Sequence, residues 1–178
     1  MASKSPVLLT PQERERLTGV PSNLTEREIA RHYTLSPQDL QAALRHRRPH
    51  NRLGFAVQLC MLRFPGRALT DLPDVPAPIL VYIAEQVDVA PQAFLEYGRR
   101  ENTLYEHLQE LRDLFGFRNC GWREFLGLAR VLLPLALESD QSLPLVEMAM
   151  EHLRTQKVIA PGITTVERLV RPAGARSR

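Results

Sequence analysis

Leu24-Thr25-Glu26-Arg27-Glu28-Ile29-Ala30-Arg31-His32-Tyr33-Thr34-Leu35-Ser36-Pro37-Gln38-Asp39-Leu40 is the stretch on which the fold turns. Two helix starts lie within it. Thr25 and Glu28 form a capping box, in which hydroxyl and carboxylate each satisfy a free amide of the first turn. Ser36 is the second start, with Pro37 at the first helical position and Asp39 near the positive helix end. The spacing predicts two short helices joined by a tight turn. Ile29 and Ala30 pack in the first helix, and Leu35 and Leu40 fill the space between the two. This is the layout of a helix-turn-helix. Thr34 stands at the turn position where Gly is usual, which is expected to cost some backbone ease. On the second helix Gln38, Gln41, Ala42 and Arg45 are expected to face outward. Gln and Arg match adenine and guanine edges in a major groove, and Arg27 and Arg31 of the preceding helix would lie across the phosphates.

Directly downstream comes Arg45-His46-Arg47-Arg48-Pro49-His50-Asn51-Arg52, placed to grip the DNA backbone as the second helix leaves the groove. Base contacts are accordingly assigned to Gln38, Gln41 and Arg45. Phosphate contacts are assigned to Arg27, Arg31, Ser36, Arg47, Arg48, His50, Asn51, Arg52 and Arg67, with His32 and His46 in support. The charge distribution agrees. The net charge is only +3, but residues 1–70 carry Lys4 and ten arginines against five acids, or +6, and residues 71–178 carry −3. Between Leu40 and Thr70 there is no acid at all, a one-sidedness that favours a polyanionic partner. Of the 23 basic residues only Lys4 and Lys157 are not Arg, the side chain that pairs bidentately with phosphate and guanine.

Working outward, Thr10-Pro11-Gln12-Glu13 is a further capping box, predicting a helix from Pro11 to about Thr18 that stops at Gly19. Leu53 to Leu62 is apolar except for Gly54 and Gln58, so a helix from about His50 to Arg63 must be buried nearly all round. Leu72-Pro73-Asp74-Val75-Pro76-Ala77-Pro78 holds three prolines and reads as a linker. Further helices are expected near 78–88, 91–98, 101–115, 121–138, 143–156 and 164–170. Leu104, Leu108, Leu111 and Phe115 make one apolar stripe beside Glu106, Glu110 and Asp113. Pro134 is expected to kink or end its helix, and Trp122 to lie in the core. The fold class is all-α: a helix-turn-helix-like subdomain over 1–71, a linker over 72–78, a second helical subdomain over 79–170 and a flexible basic tail over 171–178.

At 178 residues, with 44% hydrophobic and 24% charged side chains, the chain is long enough to bury a real core without disulfides or a structural metal. Cys60 and Cys120 stand alone, and Pro49 splits His46 from His50, so no metal site is assigned. No Gly-rich phosphate loop occurs. Asp71, Asp74, Glu106, Glu110 and Asp113 are read as solvated surface. No catalytic residue, cofactor or small-molecule substrate is expected. The longest apolar run, Leu126 to Leu137, is too short to span a bilayer and contains Arg130, and no signal peptide is visible. The expectation is a soluble protein of the cytoplasm, associated with DNA rather than with a membrane.

The run from Leu24 to Ser36 is continued by Arg47-Arg48-Pro49-His50-Asn51-Arg52-Leu53-Gly54-Phe55-Ala56-Val57-Gln58-Leu59-Cys60 and by Leu62-Arg63-Phe64-Pro65-Gly66-Arg67. Together these resemble the N-terminal domain of the Tn-three family (class II) bacterial transposases. Arg154-Thr155-Gln156-Lys157-Val158-Ile159-Ala160-Pro161-Gly162-Ile163-Thr164-Thr165-Val166-Glu167-Arg168-Leu169-Val170 is similar to that family too, so the resemblance covers about residues 5 to 170. It implies a helical module that recognises, as double-stranded DNA, the terminal inverted repeats of a replicative transposon. It also implies that the family's RNase H-like domain, whose Asp, Asp and Glu bind two metal ions, is missing from this chain. Two alternatives stand beside this reading. One is a helical interaction module whose acidic 101–115 face binds protein, with the full-length transposase as partner. The other is a free-standing helix-turn-helix regulator, disfavoured because no dimerisation helix or effector site is evident.

Overall fold

Helices α1 (Pro11–Thr18), α2 (Glu26–Tyr33) and α3 (Pro37–Leu44) each begin on a capping box, Thr10 with Glu13, Thr25 with Glu28 and Ser36 with Asp39. Local chemistry therefore sets all three starts. The computed structural model describes residues 9–72, 74–99, 101–138 and 142–170. Lys4 and the tail 171–178 lie outside the described residues. The chain continues through α4 (Pro49–Arg63), α5 (Ala77–Gln86), α6 (Glu101–Phe115), α7 (Trp122–Glu138), α8 (Ser142–Thr155) and α9 (Ile163–Val170). The fold is all-α. Two-residue strands β1 (Arg118–Asn119) and β2 (Val158–Ile159) pair in parallel, Arg118 opposite Val158, a detail the sequence did not announce. The stretch expected as a helix over 91–98 is a 3-10 helix, Pro91–Glu96. Helix α7 does not end at Pro134 but runs on to Glu138.

Helix α4 is the centre. Ten consecutive residues, Leu53 to Leu62, are buried, and α3, α5, α6 and the 3-10 helix all pack on it. Gly54 explains one of these approaches. A Cβ there would lie 2.1 Å from the Tyr97 ring, so only glycine lets that ring rest on the helix backbone. Gln58, one turn on, accepts a hydrogen bond from the Tyr97 hydroxyl and donates to the Leu104 carbonyl.

Among the described residues two hydrophobic cores form, and they do not divide at 72–78. The first joins Ile29, Tyr33 and Leu35 to α4, and also to Val75, Ile79, Ile83, Leu111, Phe115 and Ile159. The second joins Leu9 to Leu128, Leu132, Val146, Leu153 and Val166. The expected boundary is corrected accordingly. The proline-rich stretch is a crossover that returns α5 to α2 and α4, while the N-terminal residues pack with the C-terminal helices. Arg14 clamps these two ends together, its Nε and Nη2 donating to the Glu167 carboxylate at 3.0 and 2.7 Å. Trp122 is also corrected. It is 67% exposed, because α7 turns Leu128 and Leu132 inward and leaves Trp122, Leu126 and Leu133 on the opposite arc.

Candidate nucleic-acid interface

Helices α2 and α3 are joined by Thr34, Leu35 and Ser36. Thr34 has φ −73° and ψ 127°, ordinary extended backbone, so the expected conformational cost of lacking Gly is absent. The turn is held from outside. The Leu35 amide donates to Gln86 Oε1 at 2.7 Å, Gln86 Nε2 donates to the Tyr33 carbonyl at 3.0 Å, and the Thr34 and Tyr82 hydroxyls are 2.8 Å apart. Gln86 and Tyr82 lie on α5, some fifty residues away, and nothing in their own neighbourhood signals this role.

Helix α3 is fixed from within. Asp39 is fully buried, accepts from the Ser36 amide, and takes both Arg63 nitrogens Nη1 and Nη2 at 2.6 and 2.7 Å. Burial alone would raise the Asp39 carboxyl. Hydrogen bonds from Arg63 and Ser36, with the Arg63 charge, outweigh it and hold the carboxyl below the usual range. Ala42 and Ala43 face the same way. The expectation that Ala42 faces outward is therefore corrected: it packs in the first core. Gln38, Gln41 and Arg45 are exposed on the other side, and so is Leu44.

The phosphate-directed residues divide into two groups. Arg27 and Arg31 on α2, and Arg45, Arg47 and Arg48 in the α3–α4 connection, are exposed, and none has an ion-pair partner among the described residues. Ser36 is exposed, but its amide and its hydroxyl oxygen are engaged in the cap. His50, Asn51 and Arg52 are half-buried. His50 Nδ1 sits 3.6 Å from Glu96, and Arg52 Nε donates to the His46 carbonyl at 3.4 Å, bracing the loop that carries Arg47 and Arg48. Arg67 is only 3% exposed and its Nη2 donates to the Pro161 carbonyl. Burial also lowers its guanidinium pKa. Arg67 tethers the second core to the end of α4 and is removed from the phosphate set.

His32 and His46 are corrected as well. The His32 ring stacks on Phe64 with centroids 4.0 Å apart, and burial lowers its pKa. The His46 ring lies 4.5 Å from Phe55 and 4.4 Å from His107. Burial pushes His46 down, opposed in part by Glu110, whose carboxylate is 3.4 Å away. The Tyr97 hydroxyl gives its one proton to Gln58, so His107 Nδ1 donates to the Tyr97 oxygen at 2.9 Å. Burial, with His46 adjacent, pushes His107 down to about 4. His46 and His107 thus pack together under the loop, while His32 packs on Phe64 at the end of α4.

Of the five carboxylates read as surface, Asp71, Asp74, Glu106 and Asp113 are exposed, and Glu110 is half-buried beside His46. No three His, Cys, Asp or Glu side chains converge as a metal-binding group among the described residues. Nor is any helix there long and apolar enough to cross a membrane. What α2, α3 and the loop after them present is two exposed amides and five exposed arginines, side chains suited to lying against an extended anionic surface.

A family model described as "Domain of unknown function (DUF4158)" matches residues 8–173. Over 168 residues the chain is 38% identical to the transposase for transposon Tn1546 of Enterococcus faecium, covering 94% of this chain and 17% of that protein. It is 40% identical over 162 residues to the transposase for transposon Tn21 of Escherichia coli, covering 90% and 16%. To the transposase for transposon Tn501 of Pseudomonas aeruginosa it is 37% identical over 171 residues, covering 96% and 17%. The chain thus spans 16–17% of the length of these relatives.

Proposed function

The chain belongs to the DUF4158 family and is homologous to a part of the Tn-three family transposases, and on that premise we propose that it is a non-catalytic module binding transposon terminal inverted repeats. One observation carries the reading. Four exposed arginines without ion-pair partners among the described residues, Arg27, Arg31, Arg47 and Arg48, lie before and after a short helix whose outer face offers Gln38, Gln41 and Arg45. In this reading α3 is a recognition helix in the major groove, where the two glutamines read adenine edges and Arg45 a guanine edge. Arg27 and Arg31 hold the phosphates on one side of the groove. Arg47 and Arg48 hold those where α3 gives way to α4, with His50, Asn51 and the free end of Arg52 behind them. Strand-transfer chemistry belongs to other parts of a full transposase, and this chain supplies address rather than reaction.

Binding by variants tests the assignment. Gln38→Ala or Gln41→Ala should cost about 1–3 kcal/mol on the repeat and relax the preference at one base pair. Arg48→Ala should weaken repeat and scrambled duplexes about equally and reduce the salt slope by roughly 1. Equal losses on both duplexes from all three changes would sink the recognition-helix assignment.

A second reading, a helical interaction module that engages the full-length transposase, has an observation of its own. Trp122, Leu126 and Leu133 stand exposed along one arc of α7, and Glu106 and Asp113 are exposed on α6. Protein binding there would survive salt that strips a phosphate-bound surface from DNA.

A further inference from the structure

We propose that Leu44 is a specificity-determining residue that reads the 5-methyl group of a thymine, an inference that rests on the DNA-binding reading of α3. Leu44 is the last residue of α3 and is 54% exposed. Leu40, one turn earlier, packs against the first core, which Leu44 does not join. With 3.6 residues per turn, Gln41 stands at the middle of the outer arc of α3. Gln38 and Arg45 lie on one flank of it, and Pro37 and Leu44 on the other, all of them exposed. The recognition face is therefore polar on one flank and apolar on the other.

The roll of α3 is not adjustable. The Asp39–Arg63 pair and the buried Ala42 and Ala43 hold the opposite side inward, so Leu44 cannot turn in to be covered by its own fold. Within the major groove only thymine offers an apolar group, and apolar side chains are what meet it. Gln41 and Leu44 are three residues apart, about 5–6 Å on a helix surface. Base pairs rise by about 3.4 Å, so the methyl group read by Leu44 lies within two base pairs of the position read by Gln41.

The test uses the full chain and a duplex carrying the terminal inverted repeat of its own transposon. Each thymine is replaced in turn by deoxyuridine, which removes the methyl group and leaves the pairing intact. Wild-type protein should lose about four-fold in affinity, the worth of one buried methyl, at one or two thymines. These should fall within two base pairs of the position whose preference Gln41→Ala relaxes. Leu44→Ala should bind the parent duplex more weakly by a similar factor and be indifferent to deoxyuridine at the same thymines. Because Leu44 is exposed, its circular dichroism and melting should match wild type. The proposal is overturned if wild type binds every substituted duplex as tightly as the parent, or if Leu44→Ala keeps the wild-type sensitivity. Failure to distinguish repeat from scrambled duplex at low salt overturns the DNA-binding reading and this proposal together. That result is distinct from repeat-specific binding with no methyl dependence.

Discussion

Asp39 joins a local role to a distant one: it caps α3 through Ser36 and receives Arg63 from α4 in a bidentate pair. The capping half was legible in Ser36-Pro37-Gln38-Asp39. The pairing half was not, since Arg63 reads as one more cation in an acid-free stretch. Asp39→Asn keeps the shape but leaves Arg63 without a carboxylate. Because Arg63 is about one-third exposed, the expected loss is on the order of 2 kcal/mol, short of a fully buried pair. A urea midpoint unchanged by this substitution would show that α3 is held by packing alone. Gly54→Ala is a second case at this scale. The added methyl would overlap the Tyr97 ring well inside van der Waals contact, so displacement of Tyr97 from Gln58 and His107 should destabilise the chain by about 3 kcal/mol or more. Arg67 and Trp122 carry the complementary lesson. Residue type suggested an exposed cation and a core aromatic, and tertiary packing reversed both.

Among the elements, α4 and α6 together bury His46 and His107 beneath the arginine loop. Both imidazoles have folded pKa values below the ordinary 6.5, His107 at about 4. Above pH 6.5 the neutral form prevails in folded and unfolded chains alike. As the pH falls below 6.5, the unfolded chain takes up protons that the folded chain refuses, and stability is lost down to about pH 4. For His107 the loss is on the order of 3 kcal/mol at most. His107→Asn, which can still donate to the Tyr97 oxygen, should flatten the dependence of melting temperature on pH between 6.5 and 4, leaving the smaller part due to His46 and His32. An identical slope in the variant would remove His107 as its source. The helix starts were readable because capping is local, a matter of Thr10, Thr25 and Ser36 with the acids three residues on. The place of α5 was not. Gln86 and Tyr82 reach the α2–α3 turn only because the proline-rich stretch folds back, and proline content alone does not distinguish a linker from a crossover.

At the scale of the whole molecule, the specific motif from Asn51 to Cys60 serves the interior more than the interface. Gly54, Gln58 and Cys60 seat Tyr97, Leu104 and Tyr33 around α4. Burial pushes the Cys60 thiol up to about 12, a packing group rather than a nucleophile. The second core, clamped by Arg14 and Glu167 and tethered by Arg67, braces the first. The first core holds the inner faces of α2 and α3 and leaves Arg27, Arg31, Gln38, Gln41, Arg45, Arg47 and Arg48 exposed. The most direct test is fluorescence anisotropy of the purified chain with a labelled terminal-repeat duplex and a scrambled duplex, titrated across salt. If Arg27, Arg31, Arg47 and Arg48 each meet a phosphate, log K should fall against log salt with a slope of about −3.6, and the repeat should bind more tightly at every salt concentration. No binding to either duplex at low salt, or equal binding to both, would contradict a repeat-reading surface on α2 and α3.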